Sequence, residues 1–179
     1  MSLLREFLSV VEEAVFDNHG TLDKFLGDGL MATFGTPWVG PQDATNALHC
    51  ACQMVDKVAA WNERRARSGL PELFIGVGIH RGEVVLGEIG SERRLEFAVI
   101  GDAVNVASRL QEMTRKFQLA IVASDDVIGA ARTESGWITR GVFRPLGPHE
   151  LRGRDGQLKL WGRAATVNSV NKSPALVSD

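Results

Sequence analysis

The sequence predicts an α+β domain, with one antiparallel sheet carrying helices on one face. Two observations lead there. Apolar residues recur at helical spacing in three long segments, and short β-rich runs separated by glycine-containing turns lie between them. The resulting order is helix, hairpin, long helix, hairpin, helix, then closing strands, a pattern of hairpins alternating with helices.

Leu3 to about Asn18 reads as an amphipathic helix, with Leu4, Phe7, Leu8, Val11, Ala14 and Val15 at spacings of three and four. His19-Gly20 ends it, and Gly20 is the expected left-handed cap. Residues 21–26 and 30–35 form a hairpin around Gly27-Asp28-Gly29, where Asp-Gly supplies the positive φ that a two-residue turn needs. Asp43 to about Arg67 is a long helix. Ala44, Ala47, Leu48, Ala51, Met54, Val55, Val58 and Trp61 make its apolar face. Phe74–Ile79 and Glu83–Ile89 read as strands around His80-Arg81-Gly82. A charged loop, Ser91–Glu96, leads to a short strand at Phe97–Ile100. Asp102 to about Lys116 is a helix capped by Asp102. A strand at Leu119–Ala123, a short helix at Asp125–Ala131 and closing strands at Ile138–Phe143 and Leu158–Trp161 complete the domain. Residues 1–164 form that domain, and the polar, aperiodic residues 165–179 are expected to be a flexible tail.

Composition narrows the function classes. A chain of 179 residues with 44% apolar content is an ordinary globular domain that needs no staples. A net charge of −2 argues against a nucleic-acid footprint. Cys50 and Cys52 lie two apart on a helix, so they point to different faces and fit a reduced, cytoplasmic setting. No apolar run reaches the roughly 20 residues that span a bilayer, and no signal peptide is visible. The domain is still compatible with being the cytoplasmic part of a larger, membrane-attached protein.

Three stretches hold side chains with chemical potential. Asp28 at the hairpin tip is by local chemistry a turn residue. Its functional alternative is a carboxylate held rigidly for a divalent cation. Lys24, on the incoming strand, is either a solvated lysine or a donor to a base. On the helix that follows Gly101, Asn105 and Arg109 stand at i and i+4, with Glu112 nearby. That stripe is a solvated face with an Arg–Glu pair, or a phosphoryl site in which the planar guanidinium forks onto phosphate oxygens. In "GVGIHRGEVVLGEIG" the glycines match neither a Walker loop nor a dinucleotide fingerprint, and they read as tight turns and close backbone approach. His80 reads there as a structural turn residue. No second histidine has ligand spacing to it.

Taken together, "GTLDKFLGDGLMATFGTP", "GVGIHRGEVVLGEIGSERRLEFAVIGDAVNVASRL" and the weaker "HELRGRDGQLKLWG" resemble the class III nucleotidyl cyclases, the adenylyl and guanylyl cyclase catalytic domain, over about residues 3–163. The resemblance implies a ferredoxin-like palm core acting as a head-to-tail homodimer with sites at its interface. It implies two Mg2+ or Mn2+ ions that join ATP to two aspartates. Asp28 matches the second aspartate and Lys24 the lysine that reads the purine. Asn105 matches the residue orienting the ribose, and Arg109 the one stabilising charge on the α-phosphate. These last groups come from the subunit opposite the metal aspartates in the family. Arg152 matches a basic residue over the triphosphate, with Arg154 competing for the role.

Two departures shape the expectation. The family's first metal aspartate lies on a strand before the first helix, and this chain starts after it. The chain is therefore expected to lack that strand and half of the carboxylate pair, and to be inactive or nearly so alone. Ala98 stands where the family often has Asp or Thr as the purine-selecting partner of the lysine. ATP is the expected substrate from the bacterial-style pattern around Lys24, with GTP the alternative. The leading reading is an adenylyl cyclase catalytic domain attached to an upstream sensor or regulatory domain. The alternatives are a guanylyl cyclase, or a degenerate cyclase-like domain that dimerises and regulates. A diguanylate cyclase would need a Gly-Gly-Asp/Glu-Glu-Phe turn, which Gly27-Asp28-Gly29-Leu30 does not supply.

Overall fold

The computed structural model describes residues 3–91, 94–134, 141–153 and 156–165. The elements run α1 (Leu3–Asp17), β1 (Thr21–Leu26), β2 (Gly29–Thr33), α2 (Asp43–Arg67), β3 (Val77–Ile79), β4 (Val85–Ser91), β5 (Arg94–Ile100), α3 (Asp102–Phe117), β6 (Ile121–Ser124), α4 (Asp125–Glu134), β7 (Arg144–Glu150) and β8 (Gln157–Arg163). The fold is α+β, as expected, but the sheet is not a single antiparallel one. A four-stranded sheet has the order β3-β6-β8-β7, and the pairs β1-β2 and β4-β5 stand as separate antiparallel hairpins. β3 and β6 are parallel because the chain passes from one to the other through α3, a crossover connection.

Helices cover both faces of the main sheet, against the expectation of one. β6 shows why. All four of its residues, Ile121-Val122-Ala123-Ser124, are buried, the pattern of a strand enclosed on both sides. Ile121 and Ala123 pack with Leu48, Ala51 and Val55 of α2 and Val127 and Ile128 of α4. Val122, of opposite parity, packs with Val106 and Leu110 of α3 and with Leu160 of β8. A third cluster joins α1 to α2 through Val11, Ala14, Val15, Cys50, Met54 and Val58. Leu30, Ala32 and Phe34 from the β1-β2 hairpin and its exit pack against it, together with Ile75 and Val77. The hairpin and β3 therefore border one core without being hydrogen-bonded to each other.

Several local expectations change for identifiable reasons. The left-handed residue ending α1 is His19, at φ 59°, and not Gly20. Gly20 is required by space, since a Cβ there would sit 2.8 Å from both Phe34 and Val15. The hairpin turn is Gly27-Asp28, with Leu26 paired to Gly29. The positive φ falls on Gly27, the first central residue, which leaves Asp28 with ordinary backbone geometry. Asp102 is the first residue of α3, and Gly101 occupies the cap. The two strands flanking His80 do not pair: β3 joins β6, while β4 joins β5. The expected loop at Ser91–Glu96 is largely strand, because β4 and β5 pair from Val85/Ile100 out to Ser91/Arg94. Of the strand expected at Ile138–Phe143, residues 138–140 lie outside the described residues. The strand that closes the sheet edge is β7, further on at Arg144–Glu150. Its two prolines and a glycine conceal it in sequence, and they are tolerated because β7 is an edge strand with a register irregularity between Pro145 and Gly147. The tail expected at residues 165–179 lies, beyond residue 165, outside the described residues.

α3 lies directly on β3, and Gly78 in the strand and Gly76 just before it permit this. A Cβ at Gly78 would overlap the carbonyl of Ala107 and the backbone of Gln111, and one at Gly76 would overlap the hydroxyl of Thr114. The N-terminus of α3 is fixed from its other side, where a Cβ on Gly101 would meet the Glu83 carbonyl at 2.8 Å. His80, 5% exposed, ends β3 with Nδ1 2.8 Å from the Ser124 hydroxyl and 3.9 Å from the Asp126 carboxylate, which ties β3 to the β6–α4 junction. This is the structural role its sequence context suggests.

Candidate active site

α3 presents its buried stripe, Val106, Leu110 and Thr114, to the sheet and its polar stripe outward. Asn105, Ser108, Arg109 and Glu112 lie on that polar stripe at successive helical spacings. With Arg152, from the turn after β7, they line a cavity of about 370 Å3. Asn105, Arg109 and Arg152 thus line one cavity, although Arg152 lies more than forty residues away in sequence. The competing Arg154 lies outside the described residues.

Arg109 is the pivotal member. Its Nη1 is buried and has no hydrogen-bond partner among the described residues. Its Nη2 runs close to the turn after Arg152, so that a Cβ on Gly153 would stand 3.5 Å from it. Gly153 has φ 73°, the left-handed region that favours glycine, so a larger residue would be strained there. A buried guanidinium N–H without an acceptor is costly, on the order of 1–3 kcal/mol or more for a charged group. With a second arginine beside it, the cavity is suited to an anion with several oxygens. Glu112 lines the same cavity, and its carboxylate is available to donors of a ligand or to the two arginines. Ser108 was not singled out by sequence reasoning. Its position three residues after Asn105 was the signal that would have found it.

The hairpin residues are elsewhere. Lys24 and Asp28 do not line this cavity. Asp28 is exposed at the hairpin tip, and the Lys24 ammonium lies 3.3 Å from the carboxylate of its neighbour Asp23. Ala98 is half-buried in β5 opposite Gly87, and neither residue offers a polar side chain. Among the described residues there is no group of three or more His, Cys, Asp or Glu side chains able to hold a metal ion. Asp28 alone does not make a magnesium site, which requires near-octahedral oxygen coordination and commonly one or two carboxylates plus ligand oxygens.

The comparisons with known proteins give the family and the fold. The family model for the adenylate and guanylate cyclase catalytic domain matches residues 1–161, so the chain belongs to that family. It is 32% identical over 175 residues to adenylate cyclase 1 of Rhizobium meliloti (strain 1021), covering 98% of this chain and 25% of that protein. It is 37% identical over 162 residues to the adenylate cyclase of Anabaena cylindrica, covering 88% of this chain and 31% of that one. The chain therefore spans between a quarter and a third of the length of these relatives. Among solved structures, the guanylyl cyclase Cya2 superposes with a TM-score of 0.74 at 27% identity, covering 94% of this chain and 81% of that one. The adenylyl cyclase CyaB from P. aeruginosa superposes with a TM-score of 0.77 over 94% of this chain and 84% of that one, and at 24% identity it speaks for the fold alone.

Proposed function

We propose that this chain is the catalytic domain of an adenylyl cyclase, forming 3′,5′-cyclic AMP and pyrophosphate from ATP at an interface between two copies. The observation that supports this most directly is the buried, unpartnered Nη1 of Arg109 in a cavity shared with Asn105 and Arg152. The names of the relatives favour ATP.

The ribose 3′-hydroxyl attacks the α-phosphorus. A new P–O bond closes the ring, the bond to the β-phosphate bridging oxygen breaks, and the hydroxyl proton is lost. Negative charge grows on the α-phosphoryl oxygens during the attack. Arg109 carries its fixed charge there, where it is most effective. Asn105, one turn earlier on α3, orients the ribose, and Arg152 holds the departing phosphates. Lys24 reads the purine. It does not line the cavity with Asn105 and Arg109, and the second copy presents its Asp28 to that cavity. Asp28 would contribute one carboxylate to the family's divalent ions. Because it does not constitute a metal site by itself, no step is assigned to a metal here. For the same reason, residues 1–179 alone are expected to turn over poorly.

The protein belongs in a reducing compartment, with a sensor or regulatory domain attached. Cys50 and Cys52 are both free, and burial pushes the Cys50 thiol up to about 12, which leaves it inert. No helix among the described residues is long and apolar enough to cross a membrane. A guanylyl cyclase is the alternative reading, because Ala98 has no polar side chain with which to select adenine over guanine. Measuring cyclic nucleotide formed from ATP and from GTP by the protein containing this domain, with magnesium or manganese, decides the matter. Cyclic AMP as the main product supports the proposal, and a clear preference for GTP overturns the choice of base. No product from either nucleotide would leave the domain a dimerising regulator. Robust turnover by residues 1–179 alone would refute the expected impairment.

A further inference from the structure

The hairpin that carries Lys24 is irregular at one point. Leu22 pairs with Ala32 and Lys24 with Met31, two neighbours on the partner strand, so Asp23 is the extra residue of a β-bulge. In a regular strand, successive side chains point to opposite faces, whereas a bulge breaks that alternation and re-aims a side chain. The consequence is visible: Asp23 Oδ2 lies 3.3 Å from the Lys24 ammonium, although the two residues are adjacent in sequence. The Asp23 side chain is only 9% exposed, against 40% for Lys24. Its Oδ2 receives no hydrogen bond from any described residue. The ammonium is within ion-pair distance of it but off hydrogen-bond alignment. A buried carboxylate with an unmet oxygen is a costly feature to keep in an otherwise ordinary hairpin.

Resting on the reading of Lys24 as the purine reader, we propose that Asp23 is a positioning residue that holds the Lys24 ammonium in place and thereby sharpens the choice between adenine and guanine. A lysine donates equally well to a ring nitrogen of adenine or a carbonyl oxygen of guanine, so its discrimination depends on where the ammonium is held. Lysine has a long flexible stem and is poorly pre-organised on its own. The bulge brings the carboxylate to the ammonium before any nucleotide arrives. Part of the rotamer freedom that base recognition would remove is then already lost. No side chain at position 98 shares the task, because that of Ala98 has no polar atoms.

The test is calorimetric titration of the whole protein with ATP, GTP and inorganic tripolyphosphate, for the parent, D23N, K24A and the double variant. In D23N the ratio of ATP to GTP affinity should move toward one by about fivefold, the scale of a partly exposed ion pair, with tripolyphosphate affinity unchanged. K24A should move it at least as far, and the double variant no further than K24A. If K24A leaves the ratio unaltered, Lys24 does not read the base and the proposal falls with that reading. If K24A shifts the ratio while D23N does not, the Lys24 reading stands and the role of Asp23 is refuted. An additive double variant refutes it too, because Asp23 would then act independently of Lys24. Tripolyphosphate binding reports whether each variant is folded. Should D23N disturb the bulge, D23S poses the same question with a smaller neutral side chain, and its ratio counts in the same way.

Discussion

Arg109 combines two properties that rarely meet on a surface helix: a buried charged nitrogen and no acceptor for it within the described chain. The i, i+4 spacing from Asn105 was visible in sequence, and so was the chemistry of a guanidinium beside an amide. What spacing could not supply was burial. The same stripe on a solvated helix would present a mobile arginine paired with Glu112. Only Arg152 and the left-handed Gly153, brought in by the turn after β7, convert it into one wall of a cavity. A lysine at 109 keeps the charge but loses the planar fork. In Arg109→Lys, kcat should fall by about 10²–10³-fold, the cost of removing one transition-state donor, while nucleotide affinity changes much less. Single-turnover cyclisation beside equilibrium nucleotide binding separates the two. A loss of affinity with the cyclisation rate unchanged would mean that Arg109 only binds. Asp28 was equally legible as a turn residue, but its conformational demand falls on Gly27.

At the scale of elements, the site depends on how closely α3 approaches β3. Gly78 lets the backbones of the two elements touch, and an alanine there has nowhere to put its methyl except into the Ala107 carbonyl. Backbone on both sides cannot yield as a side chain would. Gly78→Ala should cost about 3 kcal/mol in denaturant unfolding, at the upper end of overpacking effects, and should lower activity by tilting α3 and its polar stripe. Gly87→Ala is the control: a Cβ there meets nothing within 4 Å, so stability should change by less than about 0.5 kcal/mol. Helices α1, α2 and α3 were readable from their 3.6-residue periodicity, to within a residue or two at their ends. The strands were harder. β7 was missed because prolines and glycine erase the usual signal. β3 and β4 flank one turn in the sequence, although their partners lie in different sheets. Local sequence marks a strand but does not choose its neighbour.

At the scale of the molecule, the hairpin residues Lys24 and Asp28 stand apart from the cavity that holds Asn105, Arg109 and Arg152. Two copies related by a two-fold axis would bring each half to the other, because such an interface places residue i against j and j against i. Mixing two inactive variants tests this. Asp28→Ala and Asn105→Ala proteins should each be nearly inactive, and a one-to-one mixture should regain about a quarter of the parent activity, since half the dimers would carry one intact site of two. A mixture as inactive as its components would show that each copy works with its own residues.

By itself the sequence determined the α+β class, the extents of the principal helices and the residue types of the candidate site. These depend on periodicity and on residue types at short spacing, which are written locally. The tertiary structure alone decided the division into three sheets, the helices on both faces, and the meeting of Arg152 with α3. It also decided that the bulge at Asp23 pairs two adjacent side chains. Each of these is a choice of partner between distant segments. Such choices are settled by which surfaces bury together, and spacing along the chain does not encode them.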